Sequence, residues 1–230
     1  MYGLFITGTS TEVGKTYVAA MIARALVRAG HRVGVYKPVA SGCRPVGNQL
    51  VSADAELLWE AAGRPDSLER VCPQRFVAPL APPRAAAAEE KRVDRDLLRS
   101  GLEFWRASSD IVLVEGAGGL MSPLSGDNSN VDYNADLAVD LGLPLVIVSA
   151  NELGTINATL QTLITARSVA PELPISGIVL NHVTVSEDDC SVSTNARDIA
   201  SKADTPLLTE VAYGQRRFSA DVDWFALAQG

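Results

Sequence analysis

Cysteine is scarce in this 230-residue chain: Cys43, Cys72 and Cys190 are odd in number and widely scattered. They form neither a disulfide framework nor a zinc-ligand spacing, so a reducing, cytoplasmic setting is expected. Long apolar runs are missing too; residues 143–148 are interrupted by Pro144 and are far too short to span a bilayer. No basic leader precedes the apolar run within residues 1–8, so a signal peptide is not expected. Lysine is rare, with Lys15, Lys37, Lys91 and Lys202 the only four among 20 basic residues. Against 27 acidic residues the net charge is −7 and the pI about 4.9, a balance that argues against general binding to nucleic acid or anionic membrane. An apolar content of 47% excludes a wholly disordered chain.

What charge there is lies unevenly. Residues 1–115 carry 15 basic and 13 acidic side chains, whereas residues 116–230 carry 5 and 14. An anionic ligand is therefore expected in the first half, held by specific cations against the overall field.

Strand and helix alternate along the chain. Residues 2–7 form a short apolar run that ends in a Gly/Ser/Thr loop, and residues 15–29 have helical spacing closed by Gly30. Residues 32–39 read as a second strand and 54–62 as a helix ending at Gly63. Pro79, Pro82 and Pro83 predict no regular structure there, after which Asp94 caps a helix reaching Trp105. A third strand at 111–114 leads into a loop over 116–134, then a helix at 135–141, a strand at 145–148, a helix at 156–167 and a strand at 178–180. Residues 187–204 are weakly helical, a last strand starts at 207–208, and 222–227 can form a short helix. Strands apolar throughout with helices between them predict one α/β domain spanning 1–230: a parallel sheet covered on both faces, with ligands at the carboxyl ends of its strands.

The strongest motif, Gly8-Thr9-Ser10-Thr11-Glu12-Val13-Gly14-Lys15-Thr16, stands between the first strand and the first helix. Converging N–H groups, a lysine for the terminal phosphates and a hydroxyl for magnesium are the parts of a phosphate loop, although Gly8 leaves five residues before Gly14 rather than four. A nucleoside triphosphate ligand and a P-loop NTPase fold are expected. Partition and septum-site ATPases of this class carry a second lysine five residues before the loop lysine; Ser10 stands there, which counts against a dimerising switch.

Other strand ends add chemistry. Lys37 in Lys37-Pro38-Val39-Ala40-Ser41-Gly42 either brings a second cation to the phosphates or reaches out to water. Asp54, in Ser52-Ala53-Asp54-Ala55, is either a helix cap or a metal ligand. Glu115, before Gly116-Ala117-Gly118-Gly119, either suits magnesium beside a triphosphate or is an incidental acid at a turn. Asn181 can exchange hydrogen bonds with a nucleobase or cap a loop, and the helix start at Thr155-Ile156-Asn157 offers N–H groups to an anion or is an ordinary capped helix.

Together these segments resemble the dethiobiotin synthetase family. The likeness runs from about residue 2 to residue 212 through the loop, Lys37–Gly42, Ser52–Ala55, Val114–Gly119 and Leu153-Gly154-Thr155-Ile156-Asn157, in order. Ser10, Pro83, Ala158 and Ala212 depart from the family's Asp, His, His and Pro, which touches substrate positioning and adenine packing but removes no phosphate or metal ligand. The resemblance implies ATP-dependent ring closure of diaminopelargonate with CO2 through a carbamate and a carbamic-phosphoric anhydride. It implies Lys15, Lys37 and Thr11 as catalytic groups, Thr16, Asp54 and Glu115 as Mg2+ ligands, and Thr11, Ser41, Thr155, Ile156 and Asn157 as substrate contacts. Nucleotide would meet Glu12, Val13, Gly14, Lys15, Thr16, Tyr17, Glu115, Gly116, Ala117, Gly118, Asn181, His182, Ala212 and Tyr213. The helix start at Thr155 would complete the partner's site in a homodimer. A regulatory switch ATPase that recruits a protein is the competing reading. His31 is expected to face solvent, Cys43 to be unactivated, and Glu187-Asp188-Asp189 to be a helix start or solvated loop.

Overall fold

The computed structural model describes residues 2–127, 130–185 and 189–229. In chain order the elements are β1 (Tyr2–Gly8), α1 (Lys15–Arg28), β2 (Val33–Tyr36), β3 (Val39–Ala40), β4 (Arg44–Val46), β5 (Gln49–Val51), α2 (Ala53–Ala61), α3 (Leu68–Val71), β6 (Gln74–Arg75) and α4 (Pro82–Ala87). They continue with α5 (Arg95–Ser108), β7 (Ile111–Gly119), β8 (Pro123–Asp127), β9 (Asn130–Tyr133), α6 (Asn134–Leu141), β10 (Leu145–Ala150), α7 (Thr155–Val169), β11 (Ile175–Asn181), α8 (Val192–Lys202), β12 (Leu207–Val211) and α9 (Trp224–Leu227).

Six strands form one parallel sheet in the order β12-β11-β10-β1-β7-β2. β1 and β10 are buried along nearly their whole length because apolar side chains leave both faces of the sheet. On β10, Val146 and Val148 join the larger core while Ile147 packs with Leu163, Ile178, Leu180 and Ile199 in a second one. That alternation is the period-two geometry of a strand sandwiched between two helical layers. The large core also takes Leu98, Leu102 and Trp105 from α5, whose start is capped by Asp94 through the Leu97 N–H.

The structure departs from sequence expectation in four places. The strand expected over 32–39 breaks at Lys37-Pro38: β2 ends at Tyr36, and β3 leaves the main sheet to pair with β6. Proline has no N–H for the ladder, and the Lys37 N–H donates instead to Val71 O at 2.7 Å. The proline-rich stretch does contain a helix, α4, because Pro82 and Pro83 occupy its first turn, where no N–H partner is required. The loop expected over 116–134 is largely ordered as the end of β7 and the β8–β9 hairpin, whose short glycine-containing and polar strands carry no apolar alternation to mark them. His31 does not simply face water; its ring stacks on Phe225 of α9 at 4.2 Å between centroids. Of the acidic run, Glu187 and Asp188 lie outside the described residues, while Asp189 accepts the N–H groups of Leu153 and Ser191.

Candidate active site

The carboxyl ends of β1, β7, β10 and β11 converge beside the amino end of α1. Gly14 precedes α1 at a φ of 83°, and no side chain caps the helix, so its first N–H groups stay available to an anion. A Cβ at Gly14 would lie 2.1 Å from Asn181 Nδ2, so only glycine fits both the dihedral and the space. Lys15 is buried and its Nζ donates to Ser10 O at 3.0 Å, folding the lysine back over its own loop. Burial pulls the Lys15 ammonium below its ordinary pKa, with Glu115 opposing and Lys37 assisting the shift.

Lys37, just past β2, is buried with its Nζ 2.5 Å from Glu115 Oε1 and 3.1 Å from Asp54 Oδ2. Burial would lower its pKa, but the two carboxylates more than offset this and the net direction is upward, so the ammonium stays charged. Asp54 follows the α2 cap rather than forming it: Ser52 Oγ accepts the Ala55 N–H, which leaves Asp54, half-exposed, to face Lys37. Burial alone would raise the Asp54 carboxyl; Lys37, together with Thr16 and Lys15, holds it below the usual carboxylate range. Thr16 Oγ1 donates to Glu115 Oε1 at 2.8 Å. Two ammonium groups and two carboxylates thus gather at the loop, with Lys37 paired to both acids and Lys15 held by Ser10 O, leaving the cluster close to neutral before any ligand enters.

The same cluster carries the donors a hard cation prefers. Glu115 is buried and its Oε2 has no hydrogen-bond partner among the described residues, next to the Thr16 hydroxyl and the second carboxylate of Asp54. Magnesium takes one or two carboxylates and completes its shell with phosphate oxygens and water, so this set fits it without a larger acidic cage.

Two positioning devices escape a reading by motif. Asn134, fully buried at the start of α6, donates to Ala117 O and Gly119 O at 2.8 and 2.7 Å and accepts the Ala117 N–H at 3.2 Å. It fixes the glycine-rich end of β7 that carries Glu115, and a Cβ at Gly116 would meet Asn134 Oδ1 at 2.4 Å. Ser149, at the end of β10, brings its Oγ within 3.2 Å of Thr9, 2.8 Å of Thr155 and 2.9 Å of Thr159 hydroxyl oxygens, linking the loop to the first turn of α7. Thr155 is therefore not the cap of α7: Gly154, at a φ of 98°, precedes a helix start with no side-chain cap. Neither residue belongs to a loop motif; Ser149 is marked only as a polar residue ending an apolar strand, and Asn134 sits among other polar residues with no signal of its own.

Thr11 and Glu12 are exposed on the loop, Val13 is buried, Tyr17 is half-buried with its hydroxyl donating to Gln215 O, and Ser41 is half-buried before Gly42. Thr9, Ser10 and Thr11 share a cavity of about 310 Å³ with Ala158, Gln161 and Thr165 of α7. Asn181 ends β11 with its Nδ2 donating to Val13 O at 3.0 Å and its buried Oδ1 unpartnered among the described residues. His182 Nε2 lies 2.5 Å from Glu210 Oε1 and 3.1 Å from Asn151 Nδ2, so its side chain is engaged within the fold. Ala212 and Tyr213 are exposed beyond β12, and the Ala212 N–H donates to Gln215. Ile156 and Asn157 stand at the start of α7, away from the clustered lysines in sequence but joined to the loop through Ser149. Cys43 and Cys72 are buried, and burial raises both thiols, Cys72 to about 12, which leaves neither activated.

A parallel sheet whose central β1 leads through a glycine loop to an uncapped helix bearing Lys15 and Thr16 defines a phosphate-loop nucleoside-triphosphate-binding protein. A family model described as an AAA domain matches residues 2–216. The ATP-dependent dethiobiotin synthetase BioD of Rhodopirellula baltica is 43% identical over 218 residues, covering 90% of this chain and 82% of that protein. Its counterpart from Anaeromyxobacter dehalogenans strain 2CP-C is 44% identical over 200 residues, covering 87% and 85%. This chain belongs to the ATP-dependent dethiobiotin synthetase family. Solved structures add the fold alone. A plasmid partition protein from Borrelia burgdorferi superposes with a TM-score of 0.57 at 11% identity, covering 99% of this chain and 94% of that one. The MinC:MinD cell division complex of Aquifex aeolicus gives 0.51 at 15% identity, covering 92% and 81%.

Proposed function

We propose that this chain is an ATP-dependent cyclo-ligase of biotin biosynthesis, acting as one domain in the cytoplasm on 7,8-diaminopelargonate, CO2 and ATP to give dethiobiotin, ADP and phosphate. The observation that carries the reading is the Lys37 ammonium, buried where Glu115 and Asp54 meet beside the phosphate loop, in a chain of this family. One substrate amine adds to CO2 and loses a proton, giving a carbamate. A carbamate oxygen attacks the γ-phosphorus and ADP leaves, forming the carbamic-phosphoric anhydride. The second amine attacks its carbonyl carbon, closes the ring and expels phosphate. Such a sequence needs positioning and charge stabilisation more than covalent help from the protein.

Within this reading Lys15 holds the β- and γ-phosphates, and the N–H groups from Glu12 to Tyr17 cradle them. Lys37 steadies carbamate and transferring phosphoryl charge, while Thr11 and Ser41 orient the amines and the carbamate. Thr16, Asp54 and Glu115 would hold Mg2+, which when bound neutralises charge across the phosphates. Gly116, Ala117 and Gly118 form the wall on that side. Asn181 receives the base: its Nδ2 is committed to Val13 O, so the free Oδ1 accepts from an exocyclic amine, as adenine offers and guanine's O6 does not. His182 contributes backbone, and Ala212 and Tyr213 flank the base. The uncapped start of α7 at Thr155, Ile156 and Asn157 receives the substrate carboxylate of the other subunit in a homodimer. Protein, ATP, Mg2+, bicarbonate and diaminopelargonate should yield dethiobiotin by mass. Nucleotide binding without that product would favour the regulatory switch instead.

A further inference from the structure

A cavity of about 670 Å³ shares no lining residue with the phosphate loop, Lys37, Asp54 or Glu115. It lies between α4, the segment leading into α5, and the β8–β9 hairpin, and its volume falls in the range of small-molecule sites. Its lining has two characters. Pro83, Ala87 and Val131 supply apolar wall, and four cations come from Arg84, Lys91, Arg92 and Arg95. Lys91 is paired with Glu89 at 2.8 Å and Arg95 with Asp132 at 2.6 Å. The Arg84 and Arg92 guanidiniums have no ion-pair or side-chain hydrogen-bond partner among the described residues, and Asp127 is the one carboxylate in the lining. In a chain of net charge −7, two unpaired guanidiniums beside an apolar wall are a local inversion of the field. A guanidinium fork matches a carboxylate in bidentate fashion, and the wall matches hydrocarbon.

We propose that this cavity is a second ligand site, for an aliphatic carboxylate, with the acid group on Arg84 and Arg92 and the chain along Pro83, Ala87 and Val131. The site stands on the cavity. Only the natural ligand rests on the function proposed above, since the substrate and product of that ring closure are themselves carboxylates on aliphatic chains.

Nonanoate is the probe, titrated calorimetrically into the full chain with ADP and Mg2+ saturating, and inorganic phosphate is the comparison. Nonanoate should bind once per chain. R84S/R92S should weaken it by at least about tenfold, the scale of losing a charged contact, with ADP affinity unchanged as the check on folding. K37Q should bind nonanoate as the parent does. Absence of nonanoate binding, binding indifferent to the two arginines, or binding lost in K37Q would each overturn the proposal. So would phosphate binding that depends on the arginines where nonanoate fails, because the apolar half of the site would then be idle. Failed dethiobiotin synthesis with nonanoate binding intact would count against the ring-closure reading alone.

Discussion

Lys37 sits between opposing demands. Burial disfavours its charge, and Glu115 and Asp54 restore it, so the ammonium is held charged and in place before substrate arrives. Lys37→Gln should keep ATP affinity within a few-fold yet lower turnover by about a hundredfold or more, the usual scale for losing preorganised charge at a reacting centre. Steady-state rates beside calorimetric ATP binding check this, and near-normal turnover would remove Lys37 from the chemistry. At Asn181 the readout is selectivity. Because Nδ2 is tied to Val13 O and only Oδ1 is open, Asn181→Ala should erase much of the preference for ATP over GTP, which the ratio of their kcat/KM values reports. Both residues were legible in the sequence as polar groups at strand ends. Their partners were not, since Glu115 is 78 positions from Lys37 and Val13 is 168 from Asn181.

Elements show where local pattern and tertiary pairing part. The helices with strong punctuation were readable: Asp94 before α5, Gly142 after α6, Gly30 after α1. β7 beyond Glu115 and the β8–β9 hairpin were not, because glycines and polar residues there owe their order to Asn134 and to cross-strand bonds rather than to periodicity. Asn134→Ala should therefore destabilise the fold by about 1–3 kcal/mol, since the half-buried Ala117 and Gly119 carbonyls would lose their partner. Urea denaturation measures it, and a change under about 0.5 kcal/mol, the level of an ordinary surface substitution, would mean the latch is idle. Turnover should fall as well, because Glu115 rides on the segment Asn134 holds.

At the scale of the molecule, charge and exposed apolar surface make separate predictions. Asp54 is held below the usual carboxylate range and Lys37 above the usual ammonium one. A depressed carboxylate contributes stability above its unfolded pKa that is lost as pH falls; a raised ammonium contributes stability below its unfolded pKa that is lost as pH rises through the folded one. The pair should therefore hold across neutrality, and Asp54→Asn should flatten the acid limb of a plot of midpoint temperature against pH. Ile164, Leu153 and Val169 on and before α7 are exposed at 67%, 82% and 45%, apolar side chains on the helix whose start the proposed homodimer would share. Sedimentation should give a dimer at assay concentrations, and Ile164→Glu should shift it toward monomer with loss of activity. A fully active monomer would contradict the shared site.

Sequence by itself determined the phosphate loop, the succession of apolar strands and helices, and the residue types at the strand ends, because each is written in contiguous residues whose spacing has a direct physical meaning. Tertiary structure alone decided that Lys37 stands between Glu115 and Asp54, that Ser52 rather than Asp54 caps α2, and that Thr155 bonds Ser149 instead of capping α7. The opening scarcity of lysine takes its meaning there. Two of four lysines are buried at one cluster, and for Lys37 the cost of burying a charge is met by carboxylates that the fold brings from another strand and helix.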